Sequence, residues 1–183
     1  SVHLRDEHVE QNQIKRRFGF APQKLLDLFA VLGRGDQKTC LAQKVAQHVL
    51  NGVVVVDDQP FFRDGVTRGL VDSGLITVVG GVGTGGEGLE VIAEHRPDVA
   101  LVDYQMPDLD GLDVVHAVVR DKLPTKVVLL SAITDSAIVF RALEEGAAGY
   151  LGKDSRRSQI VDAVLSAAAG HTVVPPELAG ALV

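Results

Sequence analysis

Four places in this sequence put a reactive polar group directly at the end of a short apolar run. Asp57 and Asp58 follow VVVV (53–56), Asp103 follows VALV (99–102), Ser131 closes KVVLLS (126–131) and Lys153 closes GYLGK (149–153). Brought together, these groups have a definite chemistry. At ~4 Å and an effective dielectric of ~20, each pair of carboxylates repels by on the order of 4 kcal/mol, so the acidic trio needs counter-charge. A divalent cation is one source, and all-oxygen ligands suit Mg²⁺. The compact ammonium of Lys153 is another and can reach an oxyanion, while Ser131 adds a hydroxyl donor. Carboxylate, hard cation, ammonium and hydroxyl make a phosphoryl-transfer site, where catalysis is mostly positioning and charge neutralisation. A carboxylate can also be the nucleophile and form an aspartyl-phosphate. Asp103 is the best candidate, because it stands alone and the turn signals Met106-Pro107 and Asp110-Gly111 expose it.

Such a meeting requires elements that deliver all four tips to one edge. From Gly52 onward, short β-rich runs alternate with helical patterns. The runs are VVVV, LITVVG (75–80), VALV, KVVLLS and GYLGK. Apolar residues at helical spacing separate them: Phe62, Val66 and Leu70; Leu89, Ile92 and Ala93; Leu112, Val115, Val118 and Val119; Ile138, Ala142 and Leu143; Ile160, Val164, Leu165 and Ala168. Strands alternating with helices in this way imply βαβ units and a parallel sheet. The near-continuous apolar runs imply a sheet covered on both faces. The expected fold class is therefore α/β, a (βα)5 unit with five parallel strands. Ligands of open α/β sheets bind beyond the carboxyl ends of the strands, where strand order reverses. With the doubly wound order 2-1-3-4-5 and right-handed crossovers, the first and third strands lie side by side, and Asp57, Asp58 and Asp103 converge between them.

Composition narrows the function classes. The chain has 183 residues, 46% hydrophobic and 23% charged, as in an ordinary soluble domain with an appendage. No apolar run approaches the ~18 residues of a membrane span, and the opening SVHLRDEHVEQNQIKRR is not expected to act as a secretory signal. Cys40 is the single cysteine, which excludes internal disulfides and fits a reducing cytoplasm; it is expected to be a packed or inert surface thiol. Residues 1–50 carry eight Lys/Arg against five Asp/Glu, and residues 51–183 carry ten against nineteen. The acidic body argues against direct nucleic-acid binding, which needs a basic face. Residues 1–51 read as an extension that is helical or disordered. Pro22 can open a helix to Leu32, and Asp36 can cap a second through Leu50 with the stripe Leu41, Val45, Val49. Residues 52–170 form the main domain, and 171–183, with Pro175-Pro176, begin a linker.

The stretches VVVVDDQPFFRDGV, VALVDYQMPDLDGLDVV, VVLLSA and ALEEGAAGYLGKD, in this order and spacing, resemble the receiver domain of bacterial two-component response regulators. The resemblance covers roughly residues 52–175 and implies a flavodoxin-like receiver fold. It implies that Asp103 accepts a phosphoryl group from a sensor histidine kinase. Asp57 and Asp58 would hold Mg²⁺ together with Asp103 and the backbone carbonyl of Gln105. Ser131 would bind a phosphoryl oxygen, Lys153 would pair with the phosphoryl group, and Tyr150 matches the aromatic whose rotamer follows phosphorylation. The resemblance also implies a homodimer through the face of the fourth helix, fifth strand and fifth helix, or through the first and fifth helices. GYLGKD has Asp154 where proline often follows the lysine, and with AAGHTVVPPELAGAL it is similar to the NarL/FixJ subfamily of transcription regulators. Those usually carry a helix-turn-helix output domain, so the chain resembles such a regulator cut before its output module, or a stand-alone receiver. Gly152 stands where that subfamily often has Leu, and Gly81 where it often has Glu.

Blander and rival readings bear on the same residues. Taken singly, Asp57-Asp58 and Asp103 are turn or cap residues, Ser131 a helix cap, Lys153 a solvated cation and Tyr150 a core aromatic. Only their joint placement on four strand tips makes a site. In GVGTGGEG, Gly83, Gly85 and Gly88 fit G-x-G-x-x-G with Asp103 twenty residues on, the spacing of a dinucleotide fingerprint. That stretch follows the second run rather than the first, so it reads as a loop and helix start. A haloacid-dehalogenase-like phosphatase uses similar groups but places its nucleophile first and its acidic pair last, the reverse of the order here. It also needs D-x-D, where Gln105 stands.

Overall fold

The computed structural model describes residues 52–133 and 135–175. The two helices expected over 22–32 and 36–50, and Cys40, lie outside the described residues. Among the described residues ten elements alternate: β1 (Val53–Val56), α1 (Pro60–Asp72), β2 (Val78–Val82), α2 (Gly85–His95), β3 (Val99–Asp103), α3 (Gly111–Arg120), β4 (Lys126–Ser131), α4 (Ser136–Glu144), β5 (Gly149–Gly152) and α5 (Arg157–Ala168). The strands form one sheet in the order β2-β1-β3-β4-β5, and all of its pairings are parallel.

The period of two in a strand explains why runs such as VVVV carry no polar alternation. Val53, Val55, Val99, Leu101, Val128, Leu130 and Leu151 face one core layer, closed by Val66 and Leu70 of α1 and by Ile160 and Val164 of α5. Val54, Val56, Ala100, Val102, Val127, Leu129 and Tyr150 face the other, closed by Ile92 of α2, Val114, Val115 and Val118 of α3, and Val139 and Ala142 of α4. Both sheet faces are dry, so each central strand is apolar throughout.

Two readings are corrected in detail. The second strand runs over 78–82 rather than 75–80. After α1, the chain turns at Gly74 in the left-handed region (φ 68°), and Leu75 and Ile76 plug the lower core as a connection instead of pairing. The strand then ends in Gly80, Gly81 and Val82, an edge position where missing side chains are tolerated. Ala93 and Val119 do not belong to the buried stripes: Ala93 is exposed and Val119 is 54% exposed, whereas Val114 is fully buried.

Helix starts are set locally. Pro60 opens α1 with its fixed φ, and Asp110 and Asp113 form a reciprocal capping box at α3. Gly111 matters for closeness: a Cβ there would lie 2.7 Å from the Asp103 carbonyl oxygen and 2.7 Å from Leu129 Cδ2. The glycine thus lets α3 begin immediately beside the tip of β3. After α5, Val173 pairs with Gly149 as a single parallel bridge. It receives the Tyr150 N–H at 2.9 Å and donates to the Ala148 carbonyl at 3.0 Å.

Candidate functional site

Parallel register places the reactive tips on one edge. Val56 is level with Val102, Asp103 with Leu130, and Ser131 with Gly152. Asp57 therefore emerges beside Asp103, and Lys153 beside Ser131, whose carbonyl accepts the Lys153 backbone N–H at 2.7 Å.

Asp57 is fully buried and Asp103 is 3% exposed, while Asp58 is exposed. One carboxylate oxygen from each of Asp57, Asp58 and Asp103 lies within 4.8 Å of the others. Lys153 Nζ stands 2.8 Å from Asp57 Oδ2 and 2.8 Å from Asp103 Oδ2, and its hydrogen bond goes to Asp103. Asp57 Oδ1 accepts the Gln59 N–H at 2.8 Å. Its Oδ2 is buried, and the Lys153 ammonium is its one ion-pair partner among the described residues. Asp103 Oδ1 accepts the Gln105 N–H at 3.3 Å.

These surroundings shift the protonation equilibria. Burial, reinforced by the charge of Asp57, pushes the Asp103 carboxyl above its ordinary value, against the opposing pull of Lys153 and the Gln105 N–H. Burial pulls Lys153 down, but the carboxylates of Asp103 and Asp57 together outweigh it and raise its pKa. The ammonium is therefore firmly charged. Three carboxylates and one ammonium leave the cluster with a net charge of −2, matching a dication. The donors are all hard oxygens, with one oxygen from each of the three carboxylates within 4.8 Å of the others. The residues fit a magnesium-type ion.

Two expected residues stand one layer back. Ser131 is 1% exposed, and its Oγ accepts the Ile133 N–H at 3.0 Å. Tyr150 is fully buried, and its hydroxyl donates to the Ile133 carbonyl at 2.7 Å. Burial raises the phenol's pKa, so it stays a donor. Tyr104 tilts against it at a ring separation of 6.0 Å. Ser131 and Tyr150 thus grip both backbone groups of a single residue in the β4–α4 loop.

Sequence reasoning missed three contributors. Lys153 Nζ lies 4.8 Å from the ring centroid of Phe62, a cation–π contact that holds the ammonium over the site. Arg63 Nη1 donates to the Asp57 carbonyl at 2.6 Å, fixing the β1–α1 turn. Asp108 joins the β3–α3 loop to α2. The short β1–α1 connection was the available signal for the first two, because it places the opening turn of α1 over the strand tips. Neither Asp57 nor Asp58 caps α1, whose N-cap is Gln59.

Comparison with known proteins places this geometry. The profile of the response regulator receiver domain matches residues 53–165. The chain is 54% identical over 130 residues to "Probable transcriptional regulatory protein NarL" of Mycobacterium tuberculosis, covering 71% of this chain and 60% of that protein. It is 36% identical over 126 residues to the transcriptional regulatory protein LnrK of Bacillus subtilis, covering 69% of this chain and 57% of that one. The solved signal receiver domain of NarL from Mycobacterium tuberculosis superposes with a TM-score of 0.64 at 54% identity, covering 65% of this chain and 96% of that structure. The chain thus spans 60% or less of the length of these two curated relatives.

Proposed function

The chain belongs to the response regulator receiver family, and from that premise we propose that it is a phosphorylation switch with Asp103 as acceptor. A sensor histidine kinase is the donor. The phosphorus–nitrogen bond of the kinase phosphohistidine breaks, its electron pair returns to the imidazole, and a carboxylate oxygen of Asp103 forms the new phosphorus–oxygen bond. Asp57, Asp58, Asp103 and the Gln105 carbonyl would hold Mg²⁺, which supplies charge neutralisation for the transferring group. Lys153 supplies fixed positive charge for the phosphoryl oxygens, and Phe62 keeps that ammonium in place. Ser131 has a hydroxyl proton to donate to a phosphoryl oxygen.

The observation that carries this reading is the position of Lys153 Nζ, 2.8 Å from carboxylates on two different strand tips. The switch follows from Ile133. When Ser131 turns toward a phosphoryl group, the Ile133 N–H loses its acceptor and Tyr150 alone retains the carbonyl. The β4–α4 loop is then free to re-form, and α4 with it. Output through transcription follows the relatives' names. Residues 1–51 are read as an extension, and the folded domain reaches Val173, which pairs with Gly149 beside β5. A homodimer through α1 and α5 is supported by Phe61, which is 95% exposed beside a cavity of about 250 Å³ lined by Phe62, Gly65, Gly69 and Ile160. The face of α4, β5 and α5 is the alternative.

The test is intact mass after treatment with acetyl phosphate and Mg²⁺. The wild type should gain one phosphoryl group and Asp103→Asn none. No gain in the wild type, or an equal gain in the variant, refutes the assignment.

A further inference from the structure

The glycine-rich stretch GVGTGGEG does lead into a helix, and the start of that helix holds an anion belonging to the chain itself. The carboxylate of Asp108, from the β3–α3 loop, accepts the Gly85 N–H on Oδ1 at 3.2 Å and the Gly86 N–H on Oδ2 at 3.1 Å. It spans the first two residues of α2, where unpaired N–H groups and the helix dipole favour negative charge. Backbone packing seals the same junction. A Cβ on Gly85 would stand 2.7 Å from the Leu109 carbonyl oxygen and 2.8 Å from Leu109 Cβ, so the loop rests directly on the helix end. Gly86 has room, with Asp108 Oδ2 at 3.7 Å from its would-be Cβ.

The loop held this way is the one that serves the site. It leaves Asp103, and its Gln105 N–H returns to Asp103 Oδ1 at 3.3 Å. It ends where Gly111 N–H meets the Tyr104 carbonyl at 3.0 Å. Its two ends are pinned to each other and to β3, and its crest is tied to α2 through Asp108 and Leu109.

We propose that Asp108 is a positioning residue for the phosphoryl-transfer site: clamped on the start of α2, it holds the β3–α3 loop, and with it the Gln105 backbone, in the shape that receives the cation. The proposal rests on the functional reading above for the role of Gln105. Its physical basis is preorganisation. A loop already fixed loses no freedom when the ion arrives, whereas a loose one must be ordered by the ion. Partners one step behind metal ligands commonly change affinity by about ten-fold or more.

The experiment measures Mn²⁺ affinity by the paramagnetic resonance signal of free ion, and the Mg²⁺ dependence of labelling by acetyl phosphate. It compares the wild-type chain, Asp108→Ala, Asp108→Asn and Gly85→Ala. Asp108→Ala should bind Mn²⁺ about five- to ten-fold more weakly and need proportionally more Mg²⁺ for half-maximal labelling, with the rate at saturating Mg²⁺ near wild type. Asp108→Asn keeps one acceptor oxygen but turns an amide N–H toward the second glycine N–H, so it should weaken Mn²⁺ by an intermediate amount, about two- to five-fold. Gly85→Ala favours the helix by propensity yet pushes the loop away, so it should weaken Mn²⁺ as Asp108→Ala does. Because it perturbs the junction from the other side, it decides the matter if Asp108→Ala does not fold. Unchanged Mn²⁺ affinity in a folded Asp108→Ala or Gly85→Ala chain overturns the clamp. A wild type that binds Mn²⁺ but takes up no phosphoryl group, with the affinities still split as expected, overturns the functional reading and leaves the clamp. No Mn²⁺ binding by the wild type overturns both.

Discussion

Replacing Lys153 by Met tests how far one ammonium holds this site together. Its Nζ sits 2.8 Å from an oxygen of Asp57 and 2.8 Å from one of Asp103, with the lysine side chain 11% exposed. At an effective dielectric of ~20, each contact is worth about 6 kcal/mol of attraction, and two carboxylate oxygens within 4.8 Å of each other repel by about 3.5 kcal/mol or more. Most of the attraction offsets the desolvation of the three charges, so the measurable loss is smaller. Removing one partner from a buried charge cluster commonly destabilises by about 3–5 kcal/mol. The lower end applies here, since Asp58 keeps one side of the cluster open to water. Urea unfolding followed by circular dichroism, needed because the chain has no Trp, should therefore show a loss of about 3 kcal/mol at pH 7 without divalent ions. Two changes should reduce the deficit. Lowering the pH toward 5 should help, because burial and Asp57 already raise the Asp103 carboxyl and the loss of Lys153 raises it further. The native state then binds a proton that the unfolded chain does not, and stability rises as pH falls through that window. Adding Mg²⁺ should help more than it helps the wild type, because the cluster now carries one more uncompensated charge; 100-fold excess over Kd is worth about 2.7 kcal/mol. The double variant Lys153→Met/Asp103→Asn should recover at least half of the loss. A deficit under about 1 kcal/mol, or one that neither acid nor Mg²⁺ reduces, refutes the account of Lys153 as the neutralising group.

Three further outcomes follow from the same geometry. Tyr150→Phe keeps the packed ring but removes the hydroxyl bond to the Ile133 carbonyl; it should lower stability by about 1 kcal/mol and speed hydrogen exchange at the Ile133 amide, and normal exchange there rules out the grip on Ile133. Gly111→Ala forces a methyl group to within 2.7 Å of the Asp103 carbonyl and of Leu129, so thermal unfolding should report a loss of about 2–3 kcal/mol; a loss below about 1 kcal/mol contradicts the close approach of α3 to the tip of β3. Asp103→Asn should be neutral or stabilising at pH 7, since the fold disfavours that charge. The stability of the wild type minus that of the variant should rise as pH falls from the raised Asp103 value toward 3.8, and a difference that is flat or falls with acid is incompatible with a raised Asp103.

What could be read in advance, and what could not, divides along sequence distance. The strand tips were legible because parallel sheets impose one rule on every run: apolar residues on both faces, then a polar group where the chain leaves the layer. Asp57, Asp103, Ser131 and Lys153 each obey it, so their meeting needed only the strand order. The second strand misled because Leu75 and Ile76 are as apolar as any strand residue, and hydrophobicity alone does not separate a core plug from a ladder. The contacts that refine the site escaped for a different reason. Phe62 reads as one more member of the α1 stripe, and its ring reaches Lys153 across 90 intervening positions in the sequence. Asp108 reads as a turn residue, and nothing in its neighbours points to Gly85 and Gly86, 23 and 22 residues earlier. A dinucleotide fingerprint and a loop socket make the same demand of sequence, small residues at a helix start with donors facing an anion. Only the identity of the anion separates them, and here the chain supplies its own. An intrinsic carboxylate in that position takes the Gly85 and Gly86 donors that a pyrophosphate would need.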